Sequence, residues 1–184
     1  EKFIDAVKKI AELALNCDSG SVEPTDEMKE IIDDLRISTG ENISIDQIEM
    51  FTGEAGQTHY GFYVHHDGKT GSLVEAQGDV DGEVLRQLAM HVTAVMPRPL
   101  GLTSDDIPAE LVEKERKFRI EQAVESGKPQ EIAEKMVEGG MKKFFSEVAL
   151  LEQAFVMDPS KAVRDMIGGA QLSNFRRWQV GEAE

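Results

Sequence analysis

The sequence predicts an α+β fold: two small subdomains of antiparallel sheet with packed helices, plus an inserted antiparallel helical hairpin. Three observations carry this. Helical and strand periodicities succeed one another without the strict βαβα alternation of a dinucleotide-binding sheet. Asp67-Gly68 lies between two strand-like stretches and marks a β-hairpin. Two charge-rich helical stretches flank Gly127-Lys128-Pro129 and read as a helical hairpin, a coiled coil at about 108–145. The division falls near Pro97. It gives an N-terminal core subdomain, 1–96, and a C-terminal core subdomain, 97–184, that carries the hairpin.

The elements follow in order. Phe3, Val7, Ile10 and Ala14 recur at helical spacing, so residues 2–15 form a helix. Thr25 is an N-cap with Asp26 and Glu27 in the first turn. Met28, Ile31, Ile32 and Leu35 make the apolar stripe of this second helix, and Gly40 follows its end. Ile43 and Ile45 alternate with polar residues, which predicts a strand. "HYGFYVHH" and "GSLVEAQG" are the arms of the Asp-Gly hairpin. "DGEVLRQLAMHVTAVM" returns to helical spacing and ends at Pro97 and Pro99. "PLGLTS" is a short strand, and Pro108 suits the first turn of a helix over 108–126.

That helix has only a thin apolar seam, Leu111, Phe118 and Ala123, and it reads as projecting into solvent. Gly139-Gly140 interrupts the returning arm. Two glycines there cost roughly 2 kcal/mol relative to alanines, so the arm is expected to fray or bend. "SEVALLEQAFV" reads as a strand. Asp158 then caps, and Pro159 opens a short helix, 159–167, that Gly168-Gly169 stops. "SNFRRWQV" is the last strand.

Composition narrows the function. Among the 184 residues, 35 acidic against 20 basic side chains give a formal charge of −15, which argues against a direct grip on nucleic acid. No run of about 18 uncharged apolar residues is present to span a membrane, and no basic-apolar leader opens the chain. Residue 1 is Glu, consistent with a piece of a longer chain. Cys17 is the lone cysteine, so neither an internal disulfide nor a cysteine-based zinc site can form.

Catalytic patterns are missing. His59, His65, His66 and His91 are the candidates for metal ligation or proton transfer. Adjacent residues of a regular strand point to opposite faces, so His65 and His66 cannot share one ion there. "GDVDGE" lacks the ligand spacing of an EF-hand. No Walker loop, nucleophile elbow or GxGxxG occurs. The residues by themselves describe an acidic α+β binding protein with no catalytic residue, no metal and no cofactor.

Three stretches carry a resemblance. "AMHVTAVMPRPL" (89–100) resembles the Ala-Met-His-Ile-Ala-Ala segment of the elongation factor Ts family. "SGKPQEIAEKMVEGGMKKFFSEVALLEQAFVMDPSK" (126–161) is similar to that family's hairpin and following strand, nearly residue by residue. "STGENISI" and "RRWQVGE" match weaker family segments in the right order, so the resemblance covers about 37–182.

The resemblance implies a guanine-nucleotide exchange factor of translation elongation. Such a protein performs no bond chemistry. It binds elongation factor Tu, GDP-bound and nucleotide-free, and promotes GDP release by disturbing the magnesium and phosphate site. It implies a bacterial cytoplasmic protein, with an organelle matrix as the alternative, and the hairpin as a route to a homodimer. Position by position, His91 matches a histidine that touches a G-domain helix of elongation factor Tu. Gly71 matches a glycine where the hairpin approaches the partner. Val156 and Met157 match a pair that packs on the partner's third domain, with Phe155 turned inward. Methionine suits an imperfectly complementary surface.

The chain departs from the family pattern at Thr70 for isoleucine, Gly140 for arginine and Ala154 for proline. In family order the Thr-Asp-Phe-Val exchange element and a small helical domain precede residue 1, and a helical module follows Glu184. The expectation is a core that binds elongation factor Tu but exchanges nucleotide poorly alone. A diverged scaffold with another partner and no exchange activity is the alternative.

Overall fold

A computed structural model describes residues 2–181. Glu1 and residues 182–184, which close the two expected subdomains and the family-like segment, lie outside the described residues. The chain divides between Glu54 and Ala55 into two compact units. The Pro97 boundary falls within the second.

The first unit is a helix pair with a minimal ladder. Helix α1, Lys2–Ala14, buries Ala6, Ile10 and Ala14. Phe3 and Val7, expected on its inner stripe, are instead half-exposed. Two adjacent stripes share Ile10 and Ala14, and spacing alone does not choose between them. Strand β1 (Gly20–Ser21) precedes helix α2 (Asp26–Thr39). Thr25 caps α2 by accepting from the Met28 amide at 3.3 Å. At the other end Gly40 adopts φ 72° and returns its N–H to the Arg36 carbonyl.

The strand expected at Ile43 and Ile45 does not form. Among the described residues of this unit the ladder pairs β1 with β2 (Glu49–Met50), two residues long. Both isoleucines, with Ile48, instead pack on the cluster of Ile10, Val22, Met28 and Ile32. The Arg36 side chain donates to the Ile43 carbonyl and so replaces a ladder partner.

The second unit is built on a three-stranded antiparallel sheet in the order β3–β4–β7. Strands β3 (Thr58–Val64) and β4 (Thr70–Gln77) are the predicted hairpin arms. In their turn Gly68 takes φ 68°, and Asp67 Oδ1 accepts from the Lys69 amide at 2.9 Å. Helix α3 (Gly82–Ala94), capped by Asp81, buries Leu85, Leu88, Ala89, His91 and Val92. Gly61 on β3 permits the close approach: a Cβ there would collide with the Leu85 backbone.

Helices α4 (Ala109–Glu125) and α5 (Gln130–Val148) follow. Ile107, just before α4, and Val112, in its first turns, cluster with Phe144, Phe145 and Val148 at the end of α5. Further along, Arg119 lies against Gly140. The contacts therefore run in opposite order along the two helices. Leu111 and Phe118, expected in the seam, are partly exposed, while Ala123 is buried. The Glu115–Arg119 pair, Nε to Oε1 2.6 Å, takes the seam positions. Helix α5 runs unbroken through Gly139-Gly140. The missing Cβ at Gly140 is filled by the Arg119 stem, whose Cδ would be 2.8 Å from it.

The 146–156 stretch is not one continuous strand. Helix α5 continues to Val148, a 3₁₀ turn spans Leu150–Glu152, and strand β5 is only Ala154–Phe155. The segment leaves the helix because its amides find other acceptors: Leu150 N bonds Gly101 O, and Leu151 N bonds Leu102 O, at 2.9 and 3.0 Å. "PLGLTS" thus contributes one isolated bridge, Gly101 to Ala149, rather than a strand.

The helix expected over 159–167 is also replaced. Strand β6 (Asp158–Ala162) pairs with β5, and only Val163–Met166 winds, as a 3₁₀ turn. Pro159 is tolerated because this strand lies at an edge. Val163 donates to the Gln153 carbonyl at 3.0 Å and is fully buried. Tertiary pairing has outweighed the capping signal. Strand β7 (Gln171–Gln179) closes the unit as predicted.

Candidate partner-docking site

The connection between β5 and β6 is a two-residue turn made of Val156 and Met157. Both side chains are exposed, at 45% and 55%, whereas Phe155 beside them is 2% exposed. Phe155 belongs to the core cluster with Leu88, Val92, Leu150 and Leu172. A tight turn separates the three: the last strand residue points in, and the two turn residues are carried outward. Asp158 follows at once. The Ser160 hydroxyl, and then Lys161, hold its carboxyl below the usual carboxylate range. The apolar tip is therefore flanked by a fixed negative charge.

His91 supports this turn from inside. Its ring has no exposed surface and lies 5.8 Å, centroid to centroid, from Phe155. The ring expected to touch a partner is thus in the interior. The Val156 amide donates to Nδ1 at 3.1 Å, and Nε2 stands 3.1 Å from Oε1 of Gln153. Nδ1 must carry a lone pair to accept that amide, so the hydrogen is on Nε2 and the ring is neutral. Burial lowers its proton affinity, although the Gln153 bond acts in the opposite sense.

Gln153 had no signal in the sequence. It stands 62 positions from His91 and looks like one more polar residue before an apolar run. In the structure it is 2% exposed. Its side-chain nitrogen donates to the Pro97 carbonyl at 3.0 Å and to the Glu147 carbonyl at 2.7 Å.

Gly71 lies elsewhere, as the second residue of β4, opposite Val64 on one side and Trp178 on the other. It has no positive φ, and a Cβ there would meet Tyr63 O at 3.6 Å, ordinary contact. Its neighbour Ser72 ties this end of β4 to α3. The Ser72 hydroxyl donates to the Ala89 carbonyl at 2.6 Å and accepts from Thr93 at 2.9 Å. One helix thus fixes both regions, through Ala89 and Thr93 on one side and through His91 on the other.

The other histidines do not assemble. His59 lies on β3, while His65 and His66 follow its end. Strand alternation does not separate those two, because the strand stops at Val64, and their rings sit 4.2 Å apart. Among the described residues no group of three or more His, Cys, Asp or Glu is placed to hold a metal ion. No described helix is long and apolar enough to cross a membrane.

A family model described as Elongation factor TS matches residues 1–182. Elongation factor Ts of Photobacterium profundum is 41% identical over 186 residues, covering 98% of this chain and 62% of that protein. The Aliivibrio salmonicida protein of the same name is 40% identical over the same shares. That of Yersinia pestis is 45% identical over 145 residues, 78% of this chain and 48% of its own length. The chain spans less than two thirds of the length of these curated relatives.

Proposed function

The chain belongs to the elongation factor Ts family, and on that premise we propose that it is the partner-binding core of a guanine-nucleotide exchange factor. Its partner is elongation factor Tu in the bacterial cytoplasm. It is not an enzyme in the bond-making sense. It works through a difference in affinity. A protein that binds nucleotide-free elongation factor Tu more tightly than the GDP form must weaken GDP binding by the same factor. Acceleration of release then follows from disturbance of the magnesium and phosphate site.

The observation that carries the reading is the exposed Val156–Met157 turn held from inside by His91. An apolar, methionine-bearing tip on a fixed backbone can dock without first being ordered, which removes part of the entropic cost of association. In this reading His91 acts through Val156 rather than by its own surface. Gly71 is a second contact, on a strand tied to the same helix. Leu111, Phe118 and Met136 remain partly exposed on α4 and α5, and self-association through that coiled-coil hairpin belongs to the same proposal.

Stopped-flow release of a fluorescent GDP from elongation factor Tu tests the reading. The chain is expected to bind the nucleotide-free partner more tightly than the GDP complex and to accelerate release weakly. Equal affinity for both forms, or no binding, contradicts it.

A further inference from the structure

We propose that Gln153 is a positioning residue that fixes the tautomer of His91 and thereby the conformation of the Val156–Met157 turn. The proposal deepens the docking reading above and rests on it for its functional consequence.

The argument begins with a buried amide. A side-chain amide at 2% exposure costs stability unless its polar atoms are satisfied, and a methionine of similar length would fill the space without that demand. Here every polar atom is used. The amide nitrogen has two carbonyl acceptors, those of Pro97 and Glu147. Turning the amide over would set its oxygen against both carbonyl oxygens, so its orientation is fixed. The oxygen then faces His91 Nε2, and only a ring protonated at Nε2 can donate to it. The opposite nitrogen is left with a lone pair directed at the Val156 amide. Donation runs from the Val156 amide of the turn, through one imidazole and one side-chain amide, to the carbonyls of two separate segments.

The backbone of Gln153 is pinned as well. Its N–H bonds Ala149 O at 3.1 Å, and its carbonyl accepts from Val163 at 3.0 Å. The side chain therefore cannot drift without moving the 3₁₀ turn that begins at Val163. It also joins the end of α5, through Glu147, to the end of the α3 segment, through Pro97. A fully satisfied network of this kind selects one arrangement where apolar packing would tolerate several.

The test uses the 184-residue chain with nitrogen-15 NMR of the histidine rings and of the Val156 amide, together with affinity for purified elongation factor Tu. In the wild type His91 should be a single tautomer protonated at Nε2. In Gln153→Met it should become a tautomer mixture, and the Val156 amide should shift and lose protection. Affinity should fall about tenfold. Ile167→Val, a change in the core cluster outside this hydrogen-bonded network, should keep affinity within about twofold. Should Gln153→Met not fold, Gln153→Glu carries the test. Its carboxylate favours the imidazolium, so affinity should become dependent on pH where that of the wild type is not.

An unchanged tautomer and Val156 amide in Gln153→Met would overturn the proposal. So would a loss of affinity no larger than that of Ile167→Val, or flat pH dependence in Gln153→Glu. If the wild type itself does not bind elongation factor Tu, the docking reading fails, and the NMR measurements still decide the role of Gln153.

Discussion

Nε2 of His91, in the last turn of α3, stands 3.1 Å from Oε1 of Gln153, 62 residues later in the chain. On the other side of the same ring the Val156 amide lies 3.1 Å from Nδ1. A neutral ring satisfies both bonds. An imidazolium would point an N–H at an N–H. The protonation state of one interior histidine is therefore linked to the geometry of one exposed turn.

This linkage sets a pH dependence of stability. Burial depresses the native pKa of His91, while in the unfolded chain it titrates near 6.5. Below that value the unfolded chain takes up a proton that the native state refuses. Stability therefore falls as pH drops through about 6.5, by up to about 1.4 kcal/mol per pH unit, until the native ring also titrates. Above 7 the contribution is constant. Urea titrations of wild type and His91→Gln between pH 5 and 8 read the difference. A parallel pair of curves would contradict the assignment.

Gly61→Ala should be among the most damaging small substitutions in the second unit. Its Cβ would overlap the Leu85 carbonyl carbon, and backbone cannot move aside as a side-chain tip can. A loss of about 3 kcal/mol, or failure to fold, is expected in chemical denaturation. Gly139→Ala is the opposite case. Nothing lies within 4 Å of its Cβ position, so a gain of up to about 1 kcal/mol from helix propensity should appear.

Gly71→Ala separates fold from docking at the second expected contact. Its backbone is ordinary, and a methyl group would make normal contacts with Tyr63 and Val64. Stability should change by less than about 1 kcal/mol. A fall in affinity for elongation factor Tu would then report the approach of a partner to that strand. Unchanged affinity would remove Gly71 from the docking surface.

The fold was legible where local signals agreed with tertiary pairing. The Asp67-Gly68 turn, the Thr25 cap and the helical period of α3 all appear in place. It was illegible where a long-range partner overrode a local signal. Asp158-Pro159 resembles a helix start, yet Ala162 pairs with Ala154 and draws the segment into a strand. The Gly139-Gly140 pair resembles a break, yet Arg119 fills the space of the missing Cβ at Gly140. The candidate site divided in the same way. The resemblance drew attention to Val156 and Met157, which lie on the surface. It also drew attention to His91, which is buried and hydrogen-bonded to Gln153, a residue that no local pattern marks.

The most direct test of the account is the affinity of Val156→Asp and Met157→Asp for nucleotide-free elongation factor Tu, measured by calorimetry alongside each variant's Tm. Both positions are about half exposed, so a new carboxylate should cost the fold under about 0.5 kcal/mol and move Tm by less than about 2 °C. At a desolvated apolar contact the same charge should weaken binding at least tenfold, about 1.4 kcal/mol. Weakened binding at unchanged Tm is the predicted result. A large drop in Tm, or full affinity in both variants, would contradict the assignment of this turn as the docking element.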